Sequence, residues 1–252
     1  VKTKAVKLEV VQPDKNSSGL YEWEVYYYNE PAMSVVLERA PATLTLACAA
    51  LLISVVLGIP AGIVAAVKRN SVSDAVIRVL ALLGQCMPAF WLGIMLIMLF
   101  AVKLGWMPTG GAEDGLRSLI LPAFTLGVFS AATICRLLRS NLIEVLGKEY
   151  IDVAKAKGLP KSKIIGKHAL KNAMSSIITI LGMQFASLLG GSVITEQVFA
   201  WPGVGRLVIQ SITTSDFAVV ECIVFLMAVI FVVINFIVDV LYCVINPRVR
   251  LQ

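Results

Sequence analysis

The chain of 252 residues is 58% hydrophobic and only 15% charged, with a mean hydropathy of +0.84. Soluble domains run at about 25% charged residues, so these values exclude an ordinary soluble enzyme and give an all-α polytopic membrane protein as the fold class. The net charge of +6 gathers beside apolar segments, which assigns it to topology and to contact with membrane lipid, with no nucleic acid among the partners.

Residues 1–42 contain no spanning segment and form an expected extracytoplasmic segment. Two stretches of alternating character, 5–11 and 20–28, flank the turn-prone Pro13-Asp14-Lys15-Asn16 and Ser17-Ser18-Gly19 and predict a small hairpin. Asn16-Ser17-Ser18 matches a glycosylation acceptor, a triplet common by chance. From Pro41 the chain turns apolar. Segments at about 43–67, 75–102, 119–138, 172–197 and 217–245 are each long enough, at about 1.5 Å per residue, to cross a hydrocarbon layer of roughly 30 Å. Gly58, Pro60 and Gly62 in the first span, and Gly84, Pro88 and Gly93 in the second, read either as kinks serving packing or as a hinge. The five cysteines (Cys48, Cys86, Cys135, Cys222, Cys243) lie in apolar runs without paired spacing. They predict neither a disulfide framework nor a metal site.

Lysine and arginine orient the spans. One side collects Lys68, Arg69, Arg78, Arg136, Arg139, Lys148, six lysines between Lys155 and Lys171, Arg248 and Arg250; the other collects Lys103, Arg117 and Arg206. The rich side is cytoplasmic by the positive-inside rule, which leaves the loops at 105–115 and 200–216 outside, with Trp106 and Trp201 at interfacial depth. Five spans with an inner C-terminus put residues 1–42 outside the cell. A tail translocated that way calls for a further transmembrane helix upstream; a miscounted last segment is the alternative.

The charged island at 139–171 is helical in pattern and is broken by Gly158-Leu159-Pro160. Gly158 suits the left-handed cap that ends one helix, and Pro160 the first turn of the next, at about 161–171. Within it, Asp152-Val153-Ala154, three residues, Gly158, nine residues and His168-Ala169-Leu170 resemble the EAA loop of permease subunits of binding-protein-dependent ABC importers. The departures, Asp152, Val153, His168 and Lys171 in place of Glu, Ala, Ile and Pro, are similar to the dipeptide, oligopeptide and nickel branch. So are Pro41-Ala42-Thr43-Leu44, the Pro88 to Gly93 stretch, Leu121-Pro122-Ala123, the run from Thr195 to Arg206, and the ending from Val238 to Arg250. The likeness covers about residues 30–250 and is greatest to the first of two homologous permease subunits.

That resemblance implies a type I ABC importer permease fold of six helices, one of them upstream, with the loop docking into cytoplasmic ATPases. It implies coupling contacts among Asp152, Ala154, Gly158, Leu159, Pro160, Ile164, His168 and Leu170. The implied partners are a homologous second permease subunit, two ATP-binding subunits and an extracytoplasmic substrate-binding protein, in the cytoplasmic (inner) membrane of a bacterium or archaeon. No Walker A pattern occurs in the chain, so no cofactor and no enzyme activity are expected here, with ATP and Mg bound by the partner subunits.

Other residues carry expectations of their own. In the fourth span Gly182, Ala186 and Gly190 form a small-residue stripe, and with Met183, Gln184 and Ser187 it either packs against neighbouring helices or lines the translocation path. Asp239 is a charge inside the last span, with Arg136 and Arg139 as candidate partners. Trp106, Trp201, Pro202, Gly203 and Arg206 are expected to face a substrate-binding protein. His168 alone builds no metal site, and its expected role is helix positioning or partner contact. The expected function is ATP-driven import of di- or oligopeptides or a related solute, with nickel chelate or glutathione on the same scaffold as the alternative. A proton-coupled secondary transporter using Asp239 and Glu221 is the reading of different class; it calls for an internal repeat of spans, and none is convincing.

Overall fold

The structure, a computed structural model, describes residues 32–245, and within them every side chain except those at 175, 176, 239 and 241–245. The expected hairpin and glycosylation triplet lie outside the described residues, as does the side chain of Asp239. The described part is helical: α1 (Ala32–Val67), α2 (Val72–Cys86), α3 (Ala89–Leu96, continued as a π-helical stretch Ile97–Lys103), α4 (Leu116–Leu146) and α5 (Glu149–Ala156) come first. They are followed by α6 (Lys161–Lys163, continued as π-helix Ile164–Ala169), α7 (Leu170–Gly191), α8 (Val193–Val198), α9 (Val204–Thr213) and α10 (Phe217–Ile245).

Helices α1, α4 and α10 are each long and apolar enough to cross a membrane unbroken, and two bent pairs raise the number of crossing segments to as many as five. The second expected span is one of these pairs. α2 and α3 meet at 102°, because Met87 and Pro88 both take extended backbone, with ψ of 126° and 134°. Proline lacks the N–H that would continue the helix and pushes its predecessor out of the α region. The fourth span is the other pair: the helix from Lys161 bends by 51° near residues 174–177 and runs on through α7. The second helix of the charged island is therefore no free-standing piece at 161–171 but the bent root of the fourth span.

α1 is already helical at Ala32, well ahead of the expected start near residue 43. Its first turns present Val36, fully buried, to Val204 and Leu207 of α9 and Val219 and Ile223 of α10. That apolar face carries the helix across Pro41, which sits on the exposed side. Further along, α1 lies closely against α4. A Cβ on Gly58 would come within 2.7 Å of the Ala131 carbonyl oxygen, and one on Gly62 within 2.9 Å of that of Cys135. Both glycines thus serve close backbone approach, the kind of packing that replaces the hydrophobic drive where the surrounding solvent is lipid.

The molecule has two distinct ends. The α1–α2 turn at 68–71, the last turns of α4 and the α5–α6 loop gather at one end. At the other, the α3–α4 loop meets the α8–α9 loop, where the Gly111 N–H donates to the Phe199 carbonyl at 2.8 Å. Lys68, Lys148 and the lysines from Lys155 to Lys171 lie at the first end, and Lys103 at the other.

Candidate functional site

The charged loop folds as two short helices held at a fixed angle. Glu149 and Asp152 occupy the first turn of α5, where the helix dipole favours acids. Its C-terminus closes in a Schellman motif: Leu159 N–H donates to the Ala154 carbonyl at 3.3 Å and Gly158 N–H to that of Lys155 at 2.9 Å. Gly158 adopts φ +73°, the left-handed position that this motif assigns to glycine. Pro160 then stands in extended conformation as the N-cap of the next helix, one position before the expected first turn. Its carbonyl accepts from Lys163 and Ile164 at 3.0 and 3.1 Å.

What faces inward differs from the expected docking set. Ala154 is 7% exposed and Ile164 4%, and both join Ile151, Ala169, Ala173 and Ile177 in a cluster on Ile134, Leu138 and Leu142 of α4. Leu159 and Leu170 pack partly against the same cluster. These residues hold the loop to its lever. Asp152, Gly158 and Pro160 are exposed, and the same surface carries Tyr150, Val153 and Ala156, three residues the sequence reading did not select. Asp152 pairs with Lys155 at 2.7 Å. His168 is half-buried, and its carbonyl accepts from Asn172 Nδ2, which also donates to the Tyr150 hydroxyl at 2.8 Å. That bond fixes the start of α5 to the root of the fourth span.

Arg139 finds a partner that sequence reasoning missed. Its Nε donates to Asp74 Oδ1 at 2.7 Å and a terminal nitrogen to Oδ2 at 2.8 Å, a two-pronged pair on a carboxylate with no exposed surface. Asn70 N–H adds a bond at 3.0 Å, and Ser71 caps α2 by accepting from the Asp74 N–H. The signal was present as Ser71-x-x-Asp74 opening a helix. Arg136, the other residue named as a candidate partner of Asp239, donates to Gln85 Oε1 at 2.8 Å, and Gln85 Nε2 donates to Thr133.

The small-residue stripe of the fourth span divides. Gly182 lies against Val238 of α10, and Ala186 is buried. Gly190 meets open space, and with the exposed Met183 and Ser187 it forms an unfilled face of α7. Gln184 carries a buried Nε2 without a hydrogen-bond partner.

At the opposite end Glu196 is fully buried and acts as a hub. Its Oε1 accepts from the Thr43 and Ser192 hydroxyls, both at 2.9 Å, and its Oε2 from the Arg206 N–H at 3.0 Å, at the start of α9. Thr43 Oγ in turn accepts from the Val204 N–H at 2.8 Å. A side chain on Gly203 would collide with the Glu196 carboxylate. Trp201 is 5% exposed, and its indole N–H donates to the Ala42 carbonyl at 2.9 Å. It is therefore a core residue of the hub rather than an interfacial anchor. Arg206 spends its guanidinium on the Ala200 carbonyl at 2.7 Å, and Pro202 is half-buried. Trp106, 63% exposed and tilted against Phe100, is left as the surface residue of the expected outer set. Glu196 was legible as an acid at the end of an apolar run, but the sequence reading singled out Asp239 and took Glu196 only as part of the run from Thr195 to Arg206.

Comparison with known proteins agrees with this geometry. Residues 58–251 match the family model for binding-protein-dependent transport system inner membrane components. A Brucella abortus (strain 2308) protein named as a peptide transport system permease is 39% identical over 97% of this chain and 83% of its own. The glutathione transport system permease protein GsiC of Escherichia coli (strain K12) is 42% identical over 87% of this chain and 72% of its own. Among solved structures, an inward-facing MetNI methionine ABC transporter chain superposes with a TM-score of 0.74 at 20% identity, over 86% of this chain and 99% of that one. An amino acid ABC transporter gives 0.67 at 17% identity, over 83% and 93%. These two likenesses show a shared fold, that of type I ABC importer permeases. The chain belongs to the inner-membrane components of binding-protein-dependent transport systems and is a multi-pass permease subunit of an ABC importer.

Proposed function

We propose that this permease conducts peptides or a related small solute beside a homologous second permease subunit in a bacterial or archaeal inner membrane. Two cytoplasmic subunits bind ATP and Mg, hydrolyse the ATP and dock on the exposed surface of α5 and the Gly158–Pro160 corner. A substrate-binding protein delivers solute at the end that carries Trp106. The observation that carries this reading is the build of the loop. One side is packed on α4 through Ile151, Ala154 and Ile164, while Tyr150, Val153, Gly158 and Pro160 stand exposed on a capped, rigid corner. A soluble motor moves transmembrane helices only through such a stiff, shape-specific contact.

The open face of α7 at Met183, Ser187 and Gly190 is the surface offered to the solute path or to the second permease subunit. The orphan amide of Gln184 beside it supports this, because a buried donor left unpaired costs about 1–3 kcal/mol. Relatives named for peptide and for glutathione transport support a peptide-like solute. The test is reconstitution of the full complex in proteoliposomes with labelled dipeptides, oligopeptides and glutathione. The expected result is uptake that needs ATP and the binding protein. Uptake driven by a proton gradient without ATP would overturn the reading.

A further inference from the structure

We propose that the Asp74–Arg139 pair is the strut through which movement of the docking loop reaches the second span, so that both are positioning residues for energy coupling. This rests on the docking role given to the loop. Arg139 lies on α4 between Leu138 and Leu142, the residues onto which Ile151, Ala154 and Ile164 pack. Any displacement of the loop is therefore applied to α4 at the level of Arg139.

Directional contacts join α2 to α4 near both of its ends. Near its start is the ion pair; near its far end Gly84 meets Val128 and Gln85 bonds Thr133. Between α1, α2 and α4 lies an apolar groove of about 480 Å³, open at the surface and lined by Leu57, Ile77, Leu80 and Phe124 among others. The groove leaves the charged fork as the direct polar tie between the loop end of α2 and α4. A two-pronged guanidinium–carboxylate contact fixes orientation as well as distance. Asn70 and Ser71 hold the same residue from the α1–α2 turn, so the carboxylate cannot swing away. Past the 102° bend, α3 sets Gly93 against Phe199 and Val198 next to the Glu196 hub. The pair thus links the loop at one end of the molecule to the outer hub at the other.

The experiment compares ATP hydrolysis and solute uptake by the assembled complex in proteoliposomes. Wild type is run first. If it assembles without ATPases, or takes up solute without ATP, the docking reading itself fails, and the strut with it. Given a coupled wild type, Asp74→Asn combined with Arg139→Gln removes both charges without stranding either in a buried site. Expected is normal assembly, ATP hydrolysis near the wild-type rate, and uptake per ATP reduced about tenfold. Arg139→Lys keeps the charge but loses the fork, and is expected to reduce the ratio about threefold. If the double variant does not assemble, the lysine variant decides. An unchanged ratio of uptake to ATP, even with lowered thermal stability, would make the pair a static tie and overturn the proposal.

Discussion

The two ends of this permease are held together by opposite means. The loop itself is held by apolar contacts: Ile151, Ala154, Ile164 and Ala169 close on α4, with the buried Asp74–Arg139 pair set apart between α2 and α4. At the hub end the contacts are hydrogen bonds to one buried carboxylate, Glu196, from two hydroxyls and a backbone N–H. The loop projects into water, where burying an isoleucine is worth about 1.5–3 kcal/mol. Such a cluster holds the loop firmly while leaving its outer surface free for a partner. The hub closes the far ends of α1, α8 and α9, where non-helical backbone must be satisfied internally beside the lipid. The lesson is that the loop proposed to meet a motor is glued to α4 by apolar packing, while the hub at the other end is knit by directional bonds.

That contrast can be broken at the hub first. Glu196→Ala strips the acceptor from three donors and is expected to cost more than about 3 kcal/mol, counting charged hydrogen bonds at about 1.5–3 kcal/mol each. Thermal unfolding of the purified complex reads this as the largest fall in Tm among these variants, and an unshifted Tm would remove the hub from the account. At the loop end Ile164→Ala opens a cavity for an expected loss of about 2–4 kcal/mol. Hydrogen exchange should localise that loss to the 149–173 region; protection there equal to wild type would count against the apolar glue. Gly158→Val forces a branched side chain into the left-handed region at about 1–2 kcal/mol. Nothing crowds its Cβ, so the expected damage is to ATPase co-purification rather than to folding. Val153→Asp should move stability by no more than about 0.5 kcal/mol while weakening ATPase assembly, and full assembly would take the exposed α5 surface out of the docking site. Asp152→Asn, in an exposed pair with Lys155, should leave Tm unchanged and sharpens the contrast from its weakest side.

Much of this was legible in the chain because the signals are local. Apolar length reports a span wherever the solvent is lipid, and the break at Gly158 and Pro160 follows from backbone chemistry that needs no neighbour. The inward face of α5 was harder. Over eight residues a helical period does not decide whether Ala154 or Val153 points at the core; only α4, with Leu138 and Leu142, settles it. The Trp201 ring was read as interfacial because tryptophan favours that depth, yet its N–H found the Ala42 carbonyl 159 residues away.

The sequence by itself determined the class of molecule, where its long apolar segments lie, the broken helical loop among its lysines and the family it resembles. Each follows from composition, length or residues a few positions apart. Tertiary structure alone decided which loop residues are anchors and which are exposed, that the second span bends by 102°, that Arg139 belongs to Asp74 and that Glu196 is the centre of the outer end. Partners 65 and 153 residues apart leave no periodic trace in a chain, and a buried charge acquires its meaning from whichever donor the packing of helices brings within hydrogen-bond reach.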